Sequence, residues 1–343
     1  MKLSILDQSP ISSGKTAKDA LEESIKLAQI GEQYGYTRYW IAEHHDLPGL
    51  ACSAPEVMLG TIGARTESIR IGSGAVLLPH YKPYKVAEIH HMLATLFPNR
   101  IDIGIGRSPG GPAEASLALS DNFLAQIKKY PESVKELLHF LHNDFPSDHM
   151  YSKITASPYP SSPPEPWILG TSKKSAILAA ENGTAYAYAH FMSDHGGTDI
   201  LKGYREQFRA KAKWQKTNAI IAVSVICAET TERAEQVALS GFLWRIQSAK
   251  GEKIYGIPTI EEAERYLFTN QEKEIIKEMK SKMIIGNPCE VKEHLLDLQA
   301  LYKVNEIMIL TITHDYEDRN QSYRLIAKEV LNHNRNEEIR DEM

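Results

Sequence analysis

Cysteine is scarce in this chain of 343 residues, which contains only Cys52, Cys227 and Cys289. The three lie far apart and form no Cys-x-x-Cys pair, which argues against a disulfide framework and against a thiolate zinc site. Long apolar runs are missing too: no stretch approaches the roughly 18 residues that cross a bilayer. The N-terminal apolar segment is too short for a signal-peptide core. We therefore expect a cytoplasmic protein with no membrane partner.

An excess of positive charge is also missing. Lys and Arg number 39 against 44 Asp and Glu, which leaves a formal net charge of −5. No segment of the chain concentrates the positive residues. This balance argues against nucleic acid, or an anionic membrane, as a partner.

Three motifs for metal or nucleotide binding are absent. The chain has no His-Glu-x-x-His, and its adjacent His90 and His91 fall within a helical pattern, so no metal site is predicted. The Walker pattern does not occur. Gly104 and Gly106 lack the third glycine of the dinucleotide fingerprint, because Pro109 occupies its position. A metal-dependent barrel hydrolase is therefore only a distant alternative.

What the chain does contain is an alternation of short β-rich runs with longer helical ones. Its 42% hydrophobic and 24% charged residues are typical of a globular protein. Strands alternating with helices imply a parallel sheet with right-handed crossovers. Eight such units favour a (β/α)8 barrel, the TIM barrel of the α/β class, over an open Rossmann-like sheet. The predicted strands are 3–8, 38–42, 69–78, 101–106, 167–170, 185–189, 220–228 and 306–313.

No linker-like boundary divides the chain, so we predict a single domain over residues 1–343. Two stretches interrupt the regular alternation and are predicted to be insertions. One covers about 107–165, after strand 4, and the other covers about 250–288, after strand 7. The predicted helices include 113–141, 200–213, 259–282 and 316–331.

The second predicted strand ends in Glu43, His44, His45 and Asp46, at the end of the strand where barrel enzymes place their sites. Successive residues of an extended chain point in opposite directions, so we expect at most one histidine to face the barrel mouth directly. A neutral imidazole there could act as a general base near pH 7. The alternative is that one histidine packs in the core and the other lies in solvent.

Two further strand ends carry features suited to an anion. Arg107 follows the fourth strand and opens a glycine-rich loop, and its guanidinium suits bidentate recognition of phosphate. After the fifth strand, Thr171, Ser172 and Ser175 add hydroxyl groups at a helix start, where free N–H groups and the helix dipole favour a phosphate. These residues are candidates for binding a phosphorylated cofactor. The alternatives are a solvated arginine and ordinary N-capping by Ser172.

Small residues mark the third and fourth strands. Gly72 and Gly74 lie inside the third strand, where glycine lowers stability. Close approach of a flat ligand is one explanation, and a bulge or bend of the barrel is the other. In the fourth strand, Asp102 and two glycines alternate with bulky isoleucines, so we expect the carboxylate to face the barrel interior.

Five segments of the chain resemble the bacterial luciferase-like flavin monooxygenase family. They are WIAEHH at 40–45, GSGAVLLPHYKP at 72–83, NRIDIGIGRSPGG at 99–111, WILGTSKKSA at 167–176 and YAYAHF at 186–191. The resemblance implies a TIM barrel, a homodimer and the use of reduced FMN delivered by a separate flavin reductase. It also implies that O2 adds to the reduced flavin to give a C4a-peroxyflavin, which oxygenates a small organic substrate.

The resemblance also implies roles for individual residues. It places catalytic chemistry at the His44–His45 step, with His44 matching the luciferase catalytic histidine. Arg107, Ser172 and Ser175 match positions that hold the flavin phosphate. Gly74 and Ala75 match a site where the family carries a non-proline cis peptide beside the isoalloxazine ring.

The chain departs from luciferase itself at two of these positions. Thr171 stands where luciferase has an acidic residue, and Gly106 stands where luciferase has a cysteine near the flavin ring. The resemblance therefore does not imply light emission from a long-chain aldehyde.

Two other functions are compatible with the same residues. An F420-dependent enzyme that transfers hydride on the same barrel would use the same phosphate-binding elements. A non-catalytic flavin-binding protein would bind flavin without activating oxygen, although the presence of both His44 and Arg107 argues against it.

Overall fold

The computed structural model describes residues 1–193, 196–211, 215–251 and 255–341, with backbone alone for 332–341. Over these ranges the chain alternates strands with helices, as the sequence predicts. The strands are β1 (Lys2–Asp7), β2 (Arg38–Ile41), β3 (Arg70–Leu77), β4 (Ile101–Gly106), β5 (Glu165–Gly170), β6 (Ala185–Ala189), β7 (Ala219–Cys227), β8 (Met283–Gly286) and β9 (Glu306–Leu310).

Eight of these strands close into a parallel barrel. The order β6-β5-β4-β3-β2-β1-β9-β7 forms one sheet, and a further pairing between β6 and β7 joins its two ends. Closure begins at Tyr186 against Ala219 and runs to Ala189 against Ala222. The predicted TIM barrel is therefore confirmed, and the open Rossmann-like alternative is wrong. All eight predicted strands are present.

Helices follow the barrel strands along the chain and also occupy the two predicted insertions. They are α1 (Ala17–Gln33), α2 (Pro55–Gly63), α3 (Pro83–Leu96), α4 (Ala113–Leu119), α5 (Phe123–His142), α6 (Lys173–Asn182), α7 (Gly197–Gln207), α8 (Thr231–Ala249), α9 (Ile260–Arg265), α10 (Asn270–Ser281), α11 (Pro288–Tyr302) and α12 (Tyr316–Asp341). In the described ranges, none of these helices has the length and apolarity needed to span a membrane.

Several helix boundaries differ from the predicted ones because local caps break long periodic patterns. The predicted helix 113–141 is two helices, since Asn122 accepts a hydrogen bond from the Ala125 N–H and starts α5 anew. The predicted helix 259–282 is divided in the same way by a capping box at Thr269. Helix α7 ends at Gln207, short of the predicted end at 213, and α12 continues beyond the predicted end at 331.

Strand β8 lies in the second predicted insertion, directly after the predicted helix 259–282, in a segment where the sequence predicted no strand. The first half of β7 pairs with β6, and its second half extends past β6 and pairs with β8, from Ser224 against Met283 to Cys227 against Gly286. A four-residue apolar run carries too little periodicity to distinguish strand from helix. The segment is a strand because it pairs with the second half of β7, which extends beyond β6.

The barrel interior is filled by side chains that include Trp40 and Trp167, whose ring centroids lie 5.4 Å apart in an edge-to-face arrangement. These rings explain the glycines of β3. A Cβ added to Gly72 would lie 2.8 Å from the Trp40 ring, and one added to Gly74 would lie 2.8 Å from Leu6 Cδ1. The register also shifts between Ser73 and Val76. Packing and a bulge thus account for both glycines.

A buried ionic cluster closes the end of the barrel where the strands begin. Asp102 is fully buried and accepts hydrogen bonds from Arg38 Nη1 at 2.8 Å and Trp40 Nε1 at 2.9 Å, with Arg70 as a further partner. The Nε of Arg38 also donates to Glu306 at 2.7 Å. The expectation that Asp102 faces the interior is confirmed. This cluster lies opposite the end where barrel enzymes place their sites, so its contribution is to stability.

Candidate active site

The candidate site lies where the barrel strands end, in the loops that follow β2, β3, β4 and β5. The loop after β2 carries both histidines and is held to its neighbours by backbone hydrogen bonds. The His44 N–H donates to the Cys52 carbonyl at 2.9 Å, and the His45 N–H donates to the Gly110 carbonyl at 2.8 Å. The glycine-rich loop after β4 therefore packs directly on the histidine loop.

The glycines of that loop are required by this close approach. Gly110 has a φ of +70°, and a Cβ there would lie 2.2 Å from Leu77 Cδ1. A Cβ on Gly111 would lie 2.0 Å from the His45 carbonyl oxygen. Any side chain at these positions would force the two loops apart.

Glu43 is the centre of a hydrogen-bond network that the sequence did not identify as functional. Its buried carboxylate accepts from the Tyr81 hydroxyl at 2.7 Å and lies 2.8 Å from His45 Nε2 on the same oxygen. The other oxygen accepts from the Leu77 N–H at 3.0 Å. Because an ionised carboxylate only accepts, Nε2 of His45 carries the proton of this bond. The one sequence signal was a carboxylate placed immediately before two histidines.

His44 differs from His45 in that its ring forms no hydrogen bond with any described residue. The residue is partly buried, and its Nδ1 atom is buried without a partner. Burial, with a smaller contribution from His45, lowers the pKa of His44 to about 4. The ring is therefore neutral at pH 7, with one nitrogen able to accept a proton. That His44 and His45 are catalytic remains a prediction.

The peptide bond between Gly74 and Ala75 is cis, as the resemblance implied for this position. Gly106, at the end of β4, is next to it: a Cβ added to Gly106 would lie 3.0 Å from the Cβ of Ala75. The cis bond therefore borders the ends of both β3 and β4. Contact of Gly74 and Ala75 with a cofactor remains a prediction.

Arg107 is exposed just beyond β4 and forms no hydrogen bond or ion pair with the described residues. Tyr130 lies nearby, with its hydroxyl donating to the Ile105 carbonyl at 3.2 Å. Burial raises the pKa of Tyr130, and the positive charge of Arg107 opposes that rise. The guanidinium therefore lies near the rim, and no carboxylate of the described residues is paired with it.

The turn after β5 has the predicted capping structure. The Ser172 hydroxyl accepts from the Ser175 N–H at 3.3 Å, and the Ser175 hydroxyl accepts from the Ser172 N–H at 3.3 Å. N-capping by Ser172 is therefore confirmed. Ser175 also lies 3.0 Å from the Tyr186 hydroxyl, and a Cβ on Gly170 would lie 2.4 Å from its Oγ. Thr171 is partly exposed in the same turn.

Strands β4 and β5 are hydrogen-bonded neighbours, with Ile105 opposite Ile168. Arg107 and the Ser172–Ser175 turn therefore lie at adjacent points of the rim, as the sequence predicts. In the described ranges, no group of three or more His, Cys, Asp or Glu side chains is arranged to hold a metal ion. His91, one of the histidines set aside earlier, contacts the Ala156 carbonyl at 2.7 Å and the Leu141 carbonyl at 3.2 Å.

A closed parallel barrel with polar groups collected at the carboxyl ends of its strands defines a TIM-barrel enzyme. Residues 1–303 match the family model described as luciferase-like monooxygenase. The chain therefore belongs to the luciferase-like monooxygenase family, and it is an oxidoreductase.

Individual relatives agree with this assignment. YceB of Bacillus subtilis (strain 168) is 44% identical over 96% of this chain and 99% of its own. The N-acetyl-S-alkylcysteine monooxygenase of the same organism is 38% identical over 96% of this chain and 98% of its own. The crystal structure of apo-MsnO8 superposes with a TM-score of 0.85 at 32% identity, covering 96% of this chain and 98% of that one.

Two more distant structures share the fold and differ in cofactor. The oxygenating constituent of 3,6-diketocamphane monooxygenase from Pseudomonas putida, in complex with FMN, has a TM-score of 0.70 at 20% identity, over 96% of this chain and 97% of its own. An F420-dependent secondary alcohol dehydrogenase has a TM-score of 0.67 at 16% identity, over 96% of this chain and 98% of its own. Similar barrels therefore bind either FMN or F420.

Proposed function

We propose that this chain is an FMN-dependent monooxygenase that uses reduced FMN and O2 to oxygenate a small organic substrate. The observation that carries the proposal is the position of the unpaired Arg107 guanidinium beside the start of α6, on the same rim as His44. One side of the rim suits a phosphate, and the other offers a neutral imidazole. The first would bind the phosphate of a redox cofactor, and the second would accept a proton in the reaction.

The residues present fit the FMN phosphate. Arg107 has no competing anion among the described residues. The first N–H groups of α6 point out of the helix, and the hydroxyls of Ser172 and Ser175 lie in the same turn. These groups would hold the phosphate through charge-assisted hydrogen bonds. Thr171 would add a hydroxyl at the edge of the turn.

Bound reduced FMN would supply the activation of O2, and the chain's own residues would prepare the site for it. His44 is neutral at pH 7, so one of its two ring nitrogens can accept a proton. His45 is oriented by Glu43, so the two adjacent histidines would divide the work: His44 would move the proton, and His45 would hold the loop in place.

Comparison of FMN with riboflavin tests the phosphate site, because the two differ only by the phosphate. We expect Arg107→Gln to weaken FMN binding roughly tenfold or more, through loss of a charge-assisted hydrogen bond, and to leave riboflavin binding unchanged. Arg265→Gln, which removes an exposed arginine near the same end of the barrel, is the matched control. Equal loss for FMN and riboflavin would place the phosphate elsewhere.

Rapid mixing with oxygen tests the reaction. The chain is titrated anaerobically with reduced FMN and then mixed with O2 while flavin absorbance is recorded. We expect oxidised flavin to appear later than it does for free reduced FMN, and His44→Ala to lower the rate of substrate oxygenation with FMN affinity unchanged. Full oxygenation by His44→Ala would remove the proposed role of His44.

The second candidate is an F420-dependent hydride-transfer oxidoreductase. It is favoured by one observation, the similarity of this barrel to the F420-dependent alcohol dehydrogenase. That enzyme class needs no O2. Binding of F420 in place of FMN, with turnover that is unaffected by oxygen, would establish it. Binding of FMN without turnover of any substrate would instead favour a non-catalytic flavin-binding protein.

We further propose N-acylated S-alkylcysteines as the first substrates to test, because a relative at 38% identity is named for that activity. A separate flavin reductase would supply reduced FMN, since the chain lacks the dinucleotide fingerprint. Turnover that depends on added reductase would support this. Oxygenation driven by NADH or NADPH with no reductase present would contradict it.

A homodimer is also part of the proposal. Val57 on α2, with Met92 and Leu96 on α3, is more than half exposed, and these helices contact each other. Exposed apolar side chains on adjacent helices suit a subunit interface. We expect light scattering to show a dimer that the double substitution Met92→Lys, Leu96→Lys dissociates. A monomeric wild-type chain would contradict this part.

A further inference from the structure

Helix α8 lies over the barrel mouth on the β7 side. Ile220 and Ala222 of β7 face the barrel interior, so Ser224 and Ile226 continue that face toward the mouth. Ile226 and Phe242 of α8 belong to one apolar cluster, and Trp244, two residues further along the helix, packs against the interior cluster. The helix therefore covers part of the opening, with residues near its C-terminal end closest to the interior.

Arg245 of α8 lines a small cavity of about 20 Å³ under this helix. The other residues around the cavity are mostly apolar, and they come from α8 itself, from β7 and β8, and from the end of β9 and the segment after it. Ser224 adds a hydroxyl group. The lining includes Ser224, Ile226, Met283, Leu310 and Ile312.

The guanidinium of Arg245 has no partner. Among the described residues, none accepts a hydrogen bond from Arg245 or forms an ion pair with it. Burial lowers its pKa, with no nearby carboxylate to oppose that effect. By contrast, the fully buried Arg38 bonds Asp102 and Glu306, and Nη1 of the fully buried Arg319 lies 3.2 Å from Asp7, although its Nε and Nη2 have no partner among the described residues. The Arg245 side chain is partly buried, and its unpaired guanidinium at the edge of the cavity is available to bind an anion.

We propose that Arg245 binds a carboxylate group of the substrate. A guanidinium offers two parallel N–H donors that match a planar carboxylate, and the apolar lining strengthens that contact by excluding water. With about 20 Å³ of free space, the cavity admits only a small terminal group of a ligand. It also lies at β7 and β9, whereas the proposed phosphate site lies at β4 and β5, so cofactor and substrate would occupy different parts of the rim.

The inference rests on the proposed function, because it names the substrate class of that oxygenase site. Its consequence is an orientation: with the carboxylate at α8, the rest of the substrate extends across the mouth toward the histidine loop. Arg245 is therefore a specificity-determining residue. It would select acids over the corresponding neutral amides.

Calorimetric titration with N-acetylmethionine and N-acetylmethioninamide tests the proposal, because these probes differ only at the carboxylate. The wild-type chain is titrated with and without FMN. We expect the acid to bind roughly tenfold to a hundredfold more tightly than the amide. Arg245→Gln should remove that preference, and Arg245→Lys should restore part of it. Arg265 is exposed and lines a neighbouring cleft, so the control variant Arg265→Gln should keep the preference for the acid.

Three outcomes would overturn the proposal: equal binding of acid and amide by the wild type, no binding of either, or a preference that survives in Arg245→Gln. Unchanged FMN affinity and unfolding in Arg245→Gln would show that the variant is folded. Failure of the proposed function would give a different set of results. In that case the acid preference and its loss in Arg245→Gln would persist, while the wild type would neither bind FMN nor oxygenate the probe.

Discussion

Nε2 of His45 lies 2.8 Å from Oε1 of Glu43, and this contact joins two residues separated by only one position in the chain. The same carboxylate accepts from Tyr81 and from the Leu77 N–H, so it connects the loops after β2 and β3. His45 is thereby fixed in orientation, while His44 between them keeps an unpaired nitrogen. One buried carboxylate thus distinguishes two adjacent histidines.

Glu43→Gln is expected to lower both stability and activity. Both carboxylate oxygens of Glu43 accept hydrogen bonds, whereas a glutamine side chain has one oxygen that accepts and one NH2 group that only donates. At least one of the three donors therefore loses its partner. We expect the free energy of unfolding to fall by about 1–3 kcal/mol, measured by denaturant titration. Tyr81→Phe removes a single donor and should cost about 1 kcal/mol. A Glu43→Gln chain as stable as wild type would show that the carboxylate is not needed.

The pKa of His44 predicts how stability depends on pH. The folded chain protonates His44 near pH 4, and the unfolded chain does so near 6.5. Between these values the unfolded state binds more protons, so stability falls as pH decreases from about 6.5 to about 4. His44 contributes nothing to this slope above the upper value. His90, whose pKa burial also lowers to about 4, adds to the same slope.

Replacement of His44 by Gln should reduce that slope by up to about 1.4 kcal/mol per pH unit. The measurement is denaturant unfolding at several pH values across the window. His149→Gln changes an exposed histidine and should leave the slope as in the wild type. An unchanged slope in His44→Gln would mean that His44 titrates normally in the folded chain.

Gly111→Ala should disrupt the site through the backbone. The added methyl group would lie 2.0 Å from the His45 carbonyl, which requires the glycine loop or the histidine loop to move. We expect destabilisation of about 1–3 kcal/mol and a loss of oxygenation. Gly60→Ala is the control, since nothing lies within 4 Å of its added Cβ and the residue is inside α2. That change should be neutral or stabilising.

Asp102→Ala should be among the most destabilising single substitutions. It leaves Arg38 and Arg70 with fewer partners in a buried cluster, and loss of one partner of a buried pair costs about 3–5 kcal/mol. Denaturant unfolding measures this. Glu22→Ala breaks the exposed pair with Lys18 and should change nothing measurable. FMN affinity should be retained in the folded fraction of Asp102→Ala, because the cluster lies at the other end of the barrel.

The barrel was predictable because its signals are local and repeated. Each strand carries its own apolar run and each helix its own periodicity. A wrong boundary in one element therefore leaves the other elements, and the number of predicted barrel strands, unchanged. Strand β8 was missed because four residues carry no period. The split of 113–141 was missed because Asn122 acts as a cap only once the chain has turned there.

The site was predictable in part, for a similar reason. His44, Arg107 and Ser172 are recognisable by residue type at the end of a strand, and a parallel barrel brings all strand ends to one face. Glu43 was not singled out, because its role depends on Tyr81 and on the backbone of Leu77, both more than thirty positions away. Tyr81 gave no signal of its own, since an isolated tyrosine after a strand usually packs in the core.

By itself the sequence determined the fold class, the family and the end of the barrel where chemistry belongs. The fold class and the end of the barrel follow from periodicity and spacing, and the family follows from the resemblance of five short segments to known members; all of these are properties of short segments. Only the tertiary structure decided which polar groups are paired. Arg38 meets Asp102 and Glu306 across 64 and 268 positions, whereas Arg245 meets no carboxylate in the described chain. Pairing depends on the distances between elements that closure of the barrel brings together, and no local sequence pattern encodes those distances.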